Sequence, residues 1–235
     1  MPAHQPQRQR AASQPATPRE RARAATMQEA KTIALGQLAD GGVEAVSLKA
    51  IARELGLTGP AIYRYFASRN DLLTELIVDA YDELAMSLDA AVTATTARSG
   101  SARLHALADA YRAWALAHPH RYRLLFSAPV PGYDANAPRL VAAADRAMAT
   151  LLELFPDTGS QLAGETLPAA LTRQLREWAL GHERDPADPG RLYRGVIAWT
   201  RLHGFVSVEI EGAFASMGID PDTVFHREVD ALLTG

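Results

Sequence analysis

The stretch Ser47-Leu48-Lys49-Ala50-Ile51-Ala52-Arg53-Glu54-Leu55-Gly56-Leu57-Thr58-Gly59-Pro60-Ala61-Ile62-Tyr63-Arg64-Tyr65-Phe66 decides how the chain folds. Leu48, Ile51, Ala52 and Leu55 fall at i, i+3, i+4 and i+7, the spacing that gives a helix one apolar face. Ser47 suits the N-cap of that helix, and Gly56 suits the left-handed residue that ends it. Thr58 suits the N-cap of a second helix. Gly59 and Pro60 fill its first turn, where proline lacks only an amide hydrogen that no helix carbonyl needs. Ile62 and Phe66, four apart, give it a buried edge. Two short helices around a glycine turn form a helix-turn-helix, whose second helix is the one that enters a major groove.

Upstream, residues 1–18 are rich in Gln, Pro, Ala and Ser without periodicity, and are predicted to be a disordered N-terminal tail. A helix is expected from Arg19 to Ala39, with Met27, Ala30, Ala34 and Leu38 on one face, stopped by Asp40-Gly41-Gly42. Residues 19–70 thus make a three-helix DNA-binding domain. Downstream, Ser68-Arg69-Asn70-Asp71 opens a long helix with Leu73, Ile77, Ala80, Leu84, Leu88 and Val92 inward. Helices follow over Ala102–His118, His120–Phe126 and Leu140–Phe155, with a Pro/Gly loop at Ala128–Ala137. Thr166-Leu167-Pro168 reads as a capped start for a helix carrying Leu171, Leu175 and Trp178 inward. After a Pro/Asp loop at Arg184–Gly190, one helix is expected from Arg191 to Ala215, with Leu192, Val196, Trp199, His203, Val206, Ile210 and Phe214 in a stripe. No convincing strand run is present. The predicted fold is all-α, the DNA-binding domain followed by a larger helical domain over residues 71–235.

Composition narrows the function. Forty-eight per cent of the 235 residues are hydrophobic, enough for a sizeable core. There is no cysteine, which excludes disulfides and thiol chemistry. The absence of a long apolar run and of a signal-peptide core points to a cytoplasmic protein away from the membrane. The net charge is −3, yet residues 1–70 carry +5 and residues 71–235 carry −8. The basic end is the one with the helix-turn-helix, as phosphate binding requires. His118, His120, His182, Glu183 and Asp185 fit no tetrahedral metal set, and no phosphate-cradling glycine loop or nucleophilic triad stands out. No cofactor, metal or catalytic residue is expected.

The segment Arg21–Ala80 resembles the TetR family of bacterial regulators. Ala34, Gly42, Ser47, Ile51, Ala52, Leu55, Gly56, Leu57, Ala61, Ile62, Tyr63, Tyr65, Phe66, Arg69, Leu72 and Leu73 carry the resemblance in register. Trp199-Thr200-Arg201-Leu202-His203-Gly204-Phe205 is similar to the Trp-His-Gly signature of one TetR C-terminal subtype. The resemblance implies a homodimer on a near-palindromic duplex operator, with two recognition helices in successive major grooves. It also implies a small-molecule effector in the C-terminal domain that releases the DNA, most often relieving repression.

Candidate DNA contacts follow from position. Ser47 and Lys49 face phosphate at a helix N-terminus. Thr58, Gly59, Pro60 and Ala61 begin the recognition helix, so base reading rests on Thr58, on apolar contact with thymine methyls and on Arg64. Tyr63, Tyr65 and Arg69 are phosphate contacts, and Tyr65 and Arg69 stand where the family commonly has histidine and lysine. In the larger domain, Tyr111, Trp114, Tyr122, Phe126, Trp178, Trp199 and His203 are the candidate pocket residues. A core role competes with pocket lining at each of them, and His118 and His203 read first as core histidines. The segments 167–182 and 191–215 are the expected dimer helices. The alternative is a helical small-molecule-binding protein or enzyme whose helix-turn-helix is only a packing unit. It predicts turnover and no salt-sensitive duplex binding.

Overall fold

Thr17 and Glu20 start the first helix by exchanging hydrogen bonds. The Glu20 amide donates to Thr17 Oγ1 at 3.2 Å, and the Thr17 amide donates to Glu20 Oε2 at 2.7 Å. The structure, a computed structural model, describes residues 17–95, 99–126, 137–155, 161–162, 165–182 and 184–234. Most of the tail predicted over residues 1–18 lies outside them, while Thr17 and Pro18 belong to the start of α1 (Pro18–Ala45). Gly41 (φ −148°, ψ 21°) and Gly42 (φ 68°, ψ −167°) break α1 where a glycine stop is predicted, and helical turns resume beyond them. Gly42 sits in a region that only glycine visits readily.

Helices α2 (Leu48–Glu54) and α3 (Gly59–Ile62) form the helix-turn-helix, with Gly56 at φ 67° between them. Helix α4 (Arg69–Ala94) begins at Ser68, whose hydroxyl accepts from the Asp71 amide at 3.0 Å. It serves two cores. Leu72, Leu73, Leu76 and Ile77 pack with Ala30, Ala34, Leu38, Ile51, Ile62 and Phe66, while Ala80, Leu84, Leu88 and Val92 pack into the larger domain.

The larger domain adds α5 (Gly100–Ala117), α6 (Pro119–Phe126), α7 (Pro138–Leu152), α8 (Ala169–Gly181), α9 (Pro189–Ile210), α10 (Ala213–Met217) and α11 (Pro221–Thr234). The expected loop at Ala128–Ala137 falls outside the described residues except for Ala137, the N-cap of α7. Gln161–Leu162 and Glu165–Thr166 pair as antiparallel two-residue strands, β1 and β2, with Gln161 opposite Thr166. Thr166 is therefore in a strand and caps no helix. Pro168 is the N-cap of α8 and makes no side-chain bond.

Helix α9 corrects the predicted stripe. Asp188 caps it, accepting from the Arg191 amide at 3.0 Å, so the Pro/Asp loop ends two residues early. The helix ends at Ile210, and Gly212 at φ 77° puts Phe214 on a separate helix. Its buried line is Leu192, Gly195, Ala198, Leu202 and Val206, while Val196, Trp199, His203 and Ile210 are half-buried. The reason is steric. A Cβ on Gly195 would collide with the Leu152 side chain, so the small residues face inward and let α7 approach. The sequence reading also stops short of α11, where Phe225 and Val229 are fully buried. Asp220 holds its first turn, accepting from the Asp222 and Thr223 amides at 3.2 Å each.

Candidate nucleic-acid interface and ligand cavity

The Ser47 hydroxyl accepts from the Ala50 amide at 3.3 Å, and its own amide donates to Gln37 Oε1 at 2.8 Å. The cap is thus fixed against α1, and exposed Lys49 stands in the first turn beyond it. Thr58 is the N-cap of α3 by backbone angles but its side chain makes no cap bond. The recognition helix is a single α-turn. It continues to Phe66 through tighter bonds, Arg64 amide to Ala61 carbonyl at 3.2 Å and Tyr65 amide to Ile62 carbonyl at 2.9 Å.

Thr58, Gly59, Pro60 and Arg64 are exposed, and Tyr63 is 57% exposed despite its large ring. Among the described residues, Lys49, Arg53 and Arg64 have no acidic partner. Ala61 departs from the sequence reading: it is buried, its methyl turned into the core rather than toward a groove. Tyr65 is half-buried, its ring packed against the N-terminal core with the Arg23 guanidinium 5.1 Å above it. Arg23 also donates to the Arg64 carbonyl at 2.9 Å, tying α1 to the end of the reading helix. Arg69 has an internal task. Its Nε donates to the Val46 carbonyl at 3.0 Å, its Nη2 donates to the Val43 carbonyl, and Glu44 lies 3.6 Å away. Both carbonyls lie at the C-terminal end of α1, where that of Val43 also accepts from the Val46 amide at 3.2 Å.

In the larger domain a cavity of about 530 Å³ opens between α4, α5, α6, α7, α8 and α9. Four candidate pocket residues line it: Tyr111, Phe126, Trp178 and Trp199. Trp114, Tyr122 and His203 do not. Trp114 is packed in the core, and the Tyr122 hydroxyl is bonded to His203 Nδ1 at 2.8 Å and to Ser207 Oγ at 3.0 Å. Tyr122 and His203 instead border a separate recess of about 120 Å³. His203 stacks on Trp199, ring centroids 5.4 Å apart and 6° from parallel, and burial lowers its pKa below the ordinary value.

The cavity wall also holds residues the sequence reading did not single out as pocket-lining. Ile77, Tyr81, Leu84 and Leu88 come from α4, and Val141, Ala144, Asp145 and Met148 from α7. His182 joins them at the end of α8. Helical spacing marks the apolar ones as core without telling which border empty space. Asp145 is held by Arg184 at 3.1 Å. The Tyr111 hydroxyl is buried beside the Tyr122 hydroxyl. Burial, and then the nearby Tyr122 hydroxyl, raise its pKa, so it stays a protonated donor.

Family comparisons agree with this architecture. The model described as bacterial regulatory proteins of the tetR family matches residues 33–76, and the one described as the tetracyclin repressor-like C-terminal domain matches residues 104–232. The HTH-type transcriptional regulator Rv1816 of Mycobacterium tuberculosis is 36% identical over 213 residues, 87% of this chain and 90% of that protein. A second M. tuberculosis HTH-type regulator, Rv0681, is 28% identical over 83% of this chain and 73% of its own length. The crystal structure of the regulatory protein SCO4313 superposes with a TM-score of 0.77 at 40% identity, covering 93% of this chain and all of that one. A Rhodococcus sp. RHA1 protein at 24% identity, TM-score 0.63, covering 88% of this chain and 93% of its own, shares the fold. The chain is a helix-turn-helix transcriptional regulator and belongs to the TetR family.

Proposed function

We propose that the chain is a ligand-responsive repressor that works in the cytoplasm, by binding rather than by catalysis. Two copies bind a near-palindromic operator, and a small molecule in the larger domain releases it. One observation carries this reading: the first turn of α3 and Tyr63 are exposed beside Lys49, Arg53 and Arg64, cations with no acidic partner among the described residues. Such a surface offers positive charge to phosphate and leaves the reading turn clear to meet base edges. Ser47, Thr58, Gly59 and Pro60 shape that surface, and Tyr65 and Arg69 support it from behind. The cavity supports effector control, being of ordinary small-molecule size and mostly apolar. Leu180 on α8 and Val208 on α9, 64% and 41% exposed, support pairing of these helices between subunits. No described helix is long and apolar enough to cross a membrane.

The test is titration of the purified protein against DNA upstream of its own gene at several salt concentrations, with sedimentation in parallel. Expected is a dimer with tight binding that weakens steeply with salt. A monomer, or affinity equal to that for unrelated duplex, overturns the reading.

A further inference from the structure

The basic surface does not end at α3. Arg23 Nη1 donates to the Arg64 carbonyl at 2.9 Å, and its guanidinium stands 5.1 Å from the centre of the Tyr65 ring. These contacts hold the start of α1 against the far end of the reading helix. Arg23 lies on the line of α1 that continues inward through half-buried Met27 to buried Ala30, Ala34 and Leu38. Arg19 precedes Arg23 by four residues, so it shares that face and stands about 6 Å further along the helix, past the core. Arg21 falls about 160° away around the same turn.

All three arginines are exposed, and among the described residues none has a carboxylate partner. The helix end itself is not the attraction, because Thr17 and Glu20 already cap it by exchanging hydrogen bonds. The free charge is on the side chains. Arg23 spends one donor on the Arg64 carbonyl and keeps its full charge. A DNA strand carries a negative charge at every step. Uncompensated guanidiniums beside a reading turn therefore complement the backbone that runs on past it.

We propose that the start of α1 is a further DNA-contact site. Arg19 holds the phosphate backbone next to the base pairs that α3 reads, and Arg23 positions it by fixing α1 to the reading helix. This rests on the operator-binding reading above and carries the interface beyond residues 47–69. The contact adds affinity and register but reads no base.

The full-length protein is footprinted with hydroxyl radicals on the duplex upstream of its own gene, and titrated on it at several salt concentrations. Expected for Arg19→Ala is loss of protection at one edge of each half-site, with the central protection kept. Affinity should fall about threefold to tenfold, and the log–log salt slope by about one per subunit. Arg21→Ala, on the other side of the helix, should keep the full footprint. Arg23→Ala should lose the same edge and also weaken the centre, since it frees the end of α3. A footprint and slope equal to wild type in Arg19→Ala overturn the proposal while operator binding stands. Equal loss of the edge in Arg21→Ala overturns the assignment to the Arg19 face, and an unchanged Arg23→Ala footprint removes its positioning role. Absence of any wild-type footprint at low salt overturns operator binding itself.

Discussion

Arg139 Nη1 donates to Glu75 Oε1 at 2.6 Å, while Lys31 Nζ sits 3.3 Å from the other oxygen of the same carboxylate. Arg139 belongs to α7, next to the cavity residues Leu140 and Val141. Glu75 is on α4, and Lys31 is on the first helix of the DNA-binding domain. One carboxylate thus links the cavity wall to the helix-turn-helix domain. Lys31 is 9% exposed and bonds Asp79 at 2.8 Å as well, so its charge is compensated inside the fold.

Glu75→Gln tests that link. Burial works to raise the Glu75 pKa, but Arg139 and Lys31 outweigh it and hold it below the ordinary value near 4.5. A carboxyl lowered in the folded state adds stability above its unfolded pKa and loses it as acid carries pH through the folded value. The stability gap between wild type and Glu75→Gln should therefore be full at neutral pH and close below about pH 4. Urea titrations at several pH values measure it. The variant should also show a smaller effector-induced loss of operator affinity.

Lys49 and Tyr63 are expected to act on DNA in separable ways. Lys49→Ala should weaken operator binding and reduce the log–log salt slope by about one, because one released counter-ion is lost. Tyr63→Phe removes a neutral hydrogen bond, so affinity should fall about threefold to tenfold with the slope unchanged. Salt-dependent titrations distinguish the two, and wild-type behaviour in both would remove these residues from the interface.

Arg69→Ala should behave as a folding lesion first. It leaves the Val43 and Val46 carbonyls without their guanidinium donor, for a loss of about 1–2 kcal/mol, discounted because the side chain is 30% exposed. Denaturant melts give the loss. A salt slope equal to wild type would make its role one of positioning; a slope reduced by about one would mean that it also reaches phosphate.

Arg112 pins three helices. It makes a two-pronged pair with Glu209 at 2.7 and 2.6 Å, both side chains nearly buried, and reaches Asp222 at the start of α11. Arg112→Ala leaves Glu209 without its counter-charge and should cost about 3 kcal/mol. Calorimetry should show a clearly lower Tm, and restoration by Lys should be incomplete because the second prong is missing.

His203 predicts a mild acid sensitivity. With its pKa lowered by burial, the neutral ring is favoured in the fold, so stability is complete above the unfolded value of about 6.5 and declines as pH falls below it. Thermal melts of wild type should soften between neutral pH and about pH 5, and those of His203→Gln should respond less.

Much of the reader is legible in sequence because its rules are local. The Ser47 cap, the positive φ of Gly56 and the inward Leu48, Ile51, Ile62 and Phe66 each depend on neighbours within a few positions. Arg69 is not legible that way, since its partners lie 23 and 26 residues upstream. On α9 Val196, Trp199, His203 and Ile210 stay half-buried, because the tight approach to Leu152 needs Gly195 inside. The polar edge of the cavity is also hidden, as Asp145 on α7 is brought by packing alone to His182 and Arg184 at the end of α8.

Leu124 and Leu140 stand in two places at once. They belong to the core beneath α3 and also to the cavity wall. No spacer separates the cavity from the floor on which the helix-turn-helix rests. A guest that displaces either leucine therefore reshapes that floor directly, and the signal needs neither a hinge nor a long relay.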